Sequence, residues 1–235
     1  MKALLATARR FTLRHRPQAF GRSTVRALAT AALAVSFTAC MAPTEPAKLG
    51  QAHYNTCLPC HGSAGEGNVT IEAPAIAGLP QWYIEAQLHK FRAGVRGSHF
   101  DDLAGLRMRP MAGALHAEAD VVAVSGYVAS MKRPMHAPMV QGGDPNKGKA
   151  SFAVCVACHG PDGAGNQALN APALVGADDW YLLAQLKKFK AGVRGTNPKD
   201  VTGAQMRAMS MTLADEQAMK DVVAYIMALP AKGGG

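Results

Sequence analysis

The sequence predicts an all-α protein of two tandem, homologous domains, and three observations predict it. The chain repeats itself at an offset of 98 residues: Gly50 falls on Gly148, Trp82-Tyr83 on Trp180-Tyr181, Met108 on Met206 and Tyr127 on Tyr225, without a gap. The run Phe91 to Gly97 returns almost unchanged as Phe189 to Gly195. Each copy also carries segments whose apolar residues keep the i, i+3, i+4 spacing of one buried helical face. Almost nothing in either copy alternates apolar with polar residues as a strand would. Residues 47–133 are read as the first domain, 134–146 as a linker with its prolines and glycines, and 147–231 as the second domain.

In chain order, residues 1–40 read as a bacterial signal peptide. Seven Lys or Arg precede an apolar run from Ala27 to Ala39, which is too short for an ordinary transmembrane helix. Without that segment, 18 basic residues face 16 acidic ones, so the formal charge of +9 on the whole chain is no argument for nucleic acid. Phe37-Thr38-Ala39-Cys40 resembles a lipoprotein cleavage site, with Phe37 departing from the usual aliphatic residue. Cys40 is therefore expected to be lipidated, holding the protein at a membrane surface in the periplasm.

A short helix, about 48–56 and 146–154, then runs into a pentapeptide found twice: Cys57-Leu58-Pro59-Cys60-His61 and Cys155-Val156-Ala157-Cys158-His159. C-x-x-C-H is the attachment sequence for c-type haem. Its thiols add across the vinyl groups and its histidine supplies one axial iron ligand, so the chain is expected to carry two covalent haems. A zinc ribbon would place its cysteine pairs about 15–20 residues apart, and a thioredoxin-like site would sit in a βαβ unit. Neither condition is met.

The second helix, about 80–92 and 178–190, carries Trp82, Tyr83, Trp180 and Tyr181 and stops at Ala93-Gly94 and Ala191-Gly192. Buried indole N–H and phenol O–H groups seek partners, so these four residues are candidates for contacts with haem propionates. Arg92, Arg96, Lys190 and Arg194 are further candidates, with a solvated face the competing reading. A long irregular stretch is expected next, holding Met108 and Met206. The third helix, about 117–131 and 214–229, follows with Val121, Val124, Val128 and then Val222, Tyr225, Leu229 on one face. His89, His99 and His116 have no histidine counterpart in the second copy and read as surface or packing residues.

These motifs resemble the class I cytochrome c fold, and their duplication resembles the cytochrome c4 family, over nearly all of residues 48–230. The resemblance rests on C-x-x-C-H, on Ala-Pro-Ala followed by Gly78 or Gly176, on Trp-Tyr-x-x-x-Gln-Leu, and on Met108 to Leu115 with its partner Met206 to Leu213. It implies Met108 and Met206 as the second axial ligands of the iron. Met111 and Met209 recur in both copies too, so recurrence alone does not choose between the pairs. The resemblance also implies that the carbonyls of Pro74 and Pro172 receive the ligand histidines, a contact that orients the imidazole.

Histidine and methionine together leave iron no open position, and methionine raises its potential. The expected role is electron transfer rather than catalysis: electrons would pass from a quinol-oxidising complex or a soluble cytochrome to a terminal oxidase. The alternative is the electron-accepting cytochrome subunit of a periplasmic dehydrogenase oxidising sulfide, thiosulfate or an alcohol.

Overall fold

A computed structural model describes residues 45–230. Residues 1–40, read from the sequence as a signal peptide ending at Cys40, lie outside the described residues. Among the described residues there are helices and two isolated bridges, Asn68 with Ala73 and Asn166 with Ala171, but no named strand. No described helix is long and apolar enough to cross a membrane.

The first half runs through α1 (Pro46–Tyr54), α2 (Leu58–His61), α3 (Gln81–Arg92), α4 (Leu103–Gly113) and α5 (Glu118–Ser130). The second half repeats the order as α6 (Pro145–Phe152), α7 (Val156–His159), α8 (Asp179–Lys190), α9 (Val201–Met211) and α10 (Glu216–Ala228). Proline opens both α1 and α6, where its missing N–H is not needed. Asp144 and Asp215 cap α6 and α10 through their side chains.

The first and last helices of each half cross closely, and a glycine makes the crossing possible. A Cβ on Gly50 would run into the Ala123 carbonyl of α5, and one on Gly148 into the Asp221 carbonyl of α10. Around this crossing, Tyr54, Leu115, Val121, Val124 and Val128 form the first core. Phe152, Leu213, Met219, Val222 and Ile226 form the second. Tyr54 and Phe152 each lie against a tyrosine of the last helix, Tyr127 and Tyr225, with ring centroids 5.5 and 5.3 Å apart.

The stretch expected to be irregular is helical. Met108 and Met206 sit on α4 and α9, not on a loop. Asp102 and Asp200 start these helices by accepting the N–H of Gly105 and Gly203 at 3.1 and 3.0 Å. Glycines in both helices, and Pro110 inside α4, mask the helical pattern in the sequence.

The linker is tied down along the second half. The Met139 and Val140 amides both donate to Asp179 Oδ2 at 2.6 Å, and Arg133 Nε donates to the Gly176 carbonyl at 3.0 Å.

Candidate haem sites

Each pentapeptide forms one helical turn, α2 or α7, that delivers its histidine inward. His61 and His159 are 5% and 4% exposed. Burial lowers the pKa of both imidazoles, which keeps them in the neutral form that binds metal. Nδ1 of His61 lies 2.8 Å from the Pro74 carbonyl, and Nδ1 of His159 lies 2.8 Å from the Pro172 carbonyl. A carbonyl only accepts, so Nδ1 carries the proton in both rings and Nε2 keeps its lone pair. The structure thus brings each histidine and its proline together as a matched pair.

No disulfide joins the four cysteines of the pentapeptides. Burial pushes the Cys57 thiol up to about 11 and raises Cys155 as well, so neither is a thiolate at neutral pH. Cys60 and Cys158 are exposed beside their histidines.

Met108 and Met206 are half-buried, and Met111 and Met209 are 42% and 39% exposed. The reason is helical phase. Gly105, Met108 and Ala112 share the inner stripe of α4, as Gly203, Met206 and Ser210 share that of α9, at i, i+3 and i+7. Met111 and Met209 fall off that stripe.

The helices α3 and α8 place the aromatic pairs differently. Trp82 and Trp180 make edge contacts with Tyr83 and Tyr181, at centroid distances of 5.7 and 5.9 Å. Tyr83 and Tyr181 reach the face between the two halves. There, Arg96 donates to the Tyr181 hydroxyl at 2.9 Å and to Gln87 Oε1 at 2.8 Å. Arg194 donates to Gln185 Oε1 at 2.8 Å and to Gln87 Oε1 at 3.0 Å. Burial raises the Tyr83 phenol. For Tyr181, burial is outweighed by Arg96 and Arg194, and its pKa falls below the ordinary value.

Two ion pairs flank this cluster. Lys90 Nζ lies 2.6 Å from Asp200 Oδ1, and Lys188 Nζ lies 2.7 Å from Asp102 Oδ1. The pairs are related by the 98-residue offset, so each half offers the same lysine and the same aspartate to the other. The face is self-complementary, as in a two-fold dimer. Gln87 and Gln185 stand in the Trp-Tyr-x-x-x-Gln-Leu motif, but nothing in the sequence marked Lys90, Asp102 and their copies as site residues. Their signal was identity between halves at polar positions: Gln87 with Gln185, Lys90 with Lys188, Arg96 with Arg194 and Asp102 with Asp200.

Arg96 and Arg194 are 9% and 8% exposed, so the solvated reading does not hold for them. Lys190 instead donates to the carbonyls of Leu213 and Ala214. Arg92 faces Glu118 at 3.8 Å.

The residues present fit covalent haem. Each half supplies a neutral buried imidazole with Nε2 free, two thiols on the same turn and a methionine on the inner stripe of a neighbouring helix. Arg96 Nε and Arg194 Nε are buried without a partner in the protein. Buried donors of this kind call for an acceptor, and a propionate carboxylate supplies one.

A family model described as cytochrome c matches residues 47–132 and again 145–230. A thiosulfate dehydrogenase electron acceptor from Thiomonas intermedia (strain K12) is 34% identical over 220 residues, which is 88% of this chain and 94% of that protein. A cytochrome c4 from Azotobacter vinelandii is 28% identical over 216 residues, covering 87% of this chain and 99% of the relative. Among solved structures, reduced recombinant cytochrome c4 from Pseudomonas stutzeri superposes with a TM-score of 0.60 at 25% identity, over 78% of this chain and 98% of that one.

Proposed function

Since the chain belongs to the cytochrome c family, as a dihaem chain of the cytochrome c4 type with one covalent haem c per domain, we propose that it accepts electrons from a periplasmic dehydrogenase. It then passes them to a further cytochrome or a terminal oxidase. The observation that carries this reading is the likeness, over 94% of its length, to a protein named for accepting electrons from thiosulfate dehydrogenase. The substrate class proposed for the partner enzyme is accordingly a reduced sulfur compound such as thiosulfate.

Haem c, when bound, supplies a reversible one-electron couple at its iron. The chain supplies the rest. Cys57, Cys60, Cys155 and Cys158 form the thioethers. His61 with Met108, and His159 with Met206, would ligate the iron and keep small molecules off it. Pro74 and Pro172 fix the imidazole planes. Arg96 and Arg194, buried in the face between the halves, would pair with propionate carboxylates that reach them. Because both halves contribute to that face, the two sites share one packed frame instead of depending on a flexible linker. Domain limits of 47–133 and 147–231, and a periplasmic location through lipidated Cys40, belong to the same proposal.

The carrier role between a quinol-oxidising complex and a terminal oxidase uses the same haem residues and differs only in the donor. Stopped-flow reduction of the oxidised protein separates the two. Thiosulfate with catalytic thiosulfate dehydrogenase is expected to reduce both haems faster than quinol with a quinol-oxidising complex. Rapid reduction by the quinol system alone would overturn the dehydrogenase reading.

A further inference from the structure

A buried carboxylate beside the first site has no counterpart beside the second. The Pro74 carbonyl and the Ala75 N–H belong to one planar peptide unit. Its oxygen receives His61 Nδ1 at 2.8 Å. Its N–H donates to Asp178 Oδ2, also at 2.8 Å, from the opposite half of the molecule. Asp178 is the N-cap residue of α8, yet its side chain makes no capping bond to that helix. It is 7% exposed, and its other oxygen, Oδ1, receives Nδ1 of the linker residue His136 at 2.6 Å.

In the second site His159 Nδ1 meets the Pro172 carbonyl at the same 2.8 Å. The residue 98 positions before Asp178 is Pro80, which has no acceptor in its side chain. Among the described residues, the hydrogen-bond chain carboxylate–peptide–imidazole is therefore found at His61 and not at His159.

We propose that Asp178 is an interdomain positioning residue that acts on His61 through the Pro74–Ala75 peptide and sets the reduction potential of the first haem below that of the second. The inference rests on the reading of His61 and His159 as iron ligands. Hydrogen bonds in series polarise one another, so a carboxylate on the N–H makes the carbonyl oxygen at the other end of the peptide a stronger acceptor. A stronger acceptor on Nδ1–H makes the imidazole a more basic ligand. A more basic ligand favours the oxidised metal and lowers the potential. The negative charge of Asp178 acts in the same direction through space. His136 and Arg133 lie near Asp178 and offset part of that charge, but the hydrogen bond to Ala75 stays in place.

The test is a spectroelectrochemical titration of the full two-haem protein, with ring protons of His61 and His159 followed by NMR to assign each step. Asp178→Asn keeps an acceptor oxygen but removes the charge, and Asp178→Ala removes both. The lower potential is expected to rise toward the upper one in both variants, and further in Asp178→Ala. A threefold to tenfold change in the one-electron equilibrium is expected, or about 28–59 mV. The His61 Nδ1 proton should move upfield in the reduced protein while the His159 proton stays. Asp179→Asn removes the adjacent carboxylate, which accepts the linker amides of Met139 and Val140 and the Trp180 amide but does not touch the Pro74–Ala75 peptide, and should leave both potentials in place. Unmoved potentials in the Asp178 variants, or an equal shift in Asp179→Asn, would overturn the proposal. The ligand reading is checked separately in the wild-type protein. A reduced spectrum without bound-histidine signals from both haems would remove that reading and this inference with it.

Discussion

His61 and His159 are prepared for metal by burial and by one hydrogen bond each. Burial holds the ring neutral, and the proline carbonyl selects the tautomer. Pro74 and Pro172 were reached through the resemblance to the cytochrome c4 family, whereas C-x-x-C-H was legible in the sequence as a motif. The methionines were less so, because Met108 and Met111 recur equally in the second copy. Helical phase separates them, since only Met108 lies on the inner stripe of α4. Met108→Ala is therefore expected to open one haem to carbon monoxide and to halve the near-infrared methionine–iron band. Met111→Ala should change neither. Spectra of the reduced variants with and without carbon monoxide decide this, and the opposite pattern would exchange the two methionines.

At the scale of elements, α1, α3, α5 and their copies were legible: α5 and α10 by apolar residues at helical spacing, α3 and α8 by their stops at Ala93-Gly94 and Ala191-Gly192, and α1 and α6 as short segments leading into C-x-x-C-H. The helices α4 and α9 were not. Their hydrophobic stripe is thin, Gly105 and Gly203 lie in the first turn, and Pro110 interrupts α4. What starts them is a side-chain cap from Asp102 or Asp200, two residues that also face lysines of the other half. Pro110 is exposed, so the hydrogen bond it cannot make points toward solvent. The helix crossings depend on a feature that no periodicity encodes, the absence of a side chain at Gly50 and Gly148. Gly148→Ala is expected to push α6 off α10 and cost about 1–3 kcal/mol. The thermal midpoint of the holoprotein should fall by at least about 2 °C, read by differential scanning calorimetry. An unchanged midpoint would mean that the crossing yields without strain.

The whole molecule is organised by the face between the halves. Linear sequence reading finds the repeat but not which surfaces of the two copies meet, because that depends on the pairing of distant side chains. Asp102 illustrates the energetics. Burial alone would raise its pKa, but the hydrogen bond and charge of Lys188, with the Gly105 amide, bring it below the ordinary value. A carboxylate with a depressed folded pKa stabilises the fold above its unfolded value of about 3.9 and loses that contribution as pH falls through the folded one. Lys188→Met leaves Asp102 buried without its cation and should cost about 3 kcal/mol at neutral pH. Acid unfolding followed by circular dichroism should then occur at a higher pH than in the wild type, with the difference shrinking below about pH 4. If both proteins unfold along the same pH curve, the ion pair does not stabilise the interface. Identical chains joined through such a face would be bound to carry the same residue at both equivalent positions, and neither end could differ from the other. Fusion into one polypeptide lifts that restriction: aspartate can stand at position 178 while proline stands at 80. A symmetric object thereby acquires a polarity, with a distinguishable entrance and exit for charge.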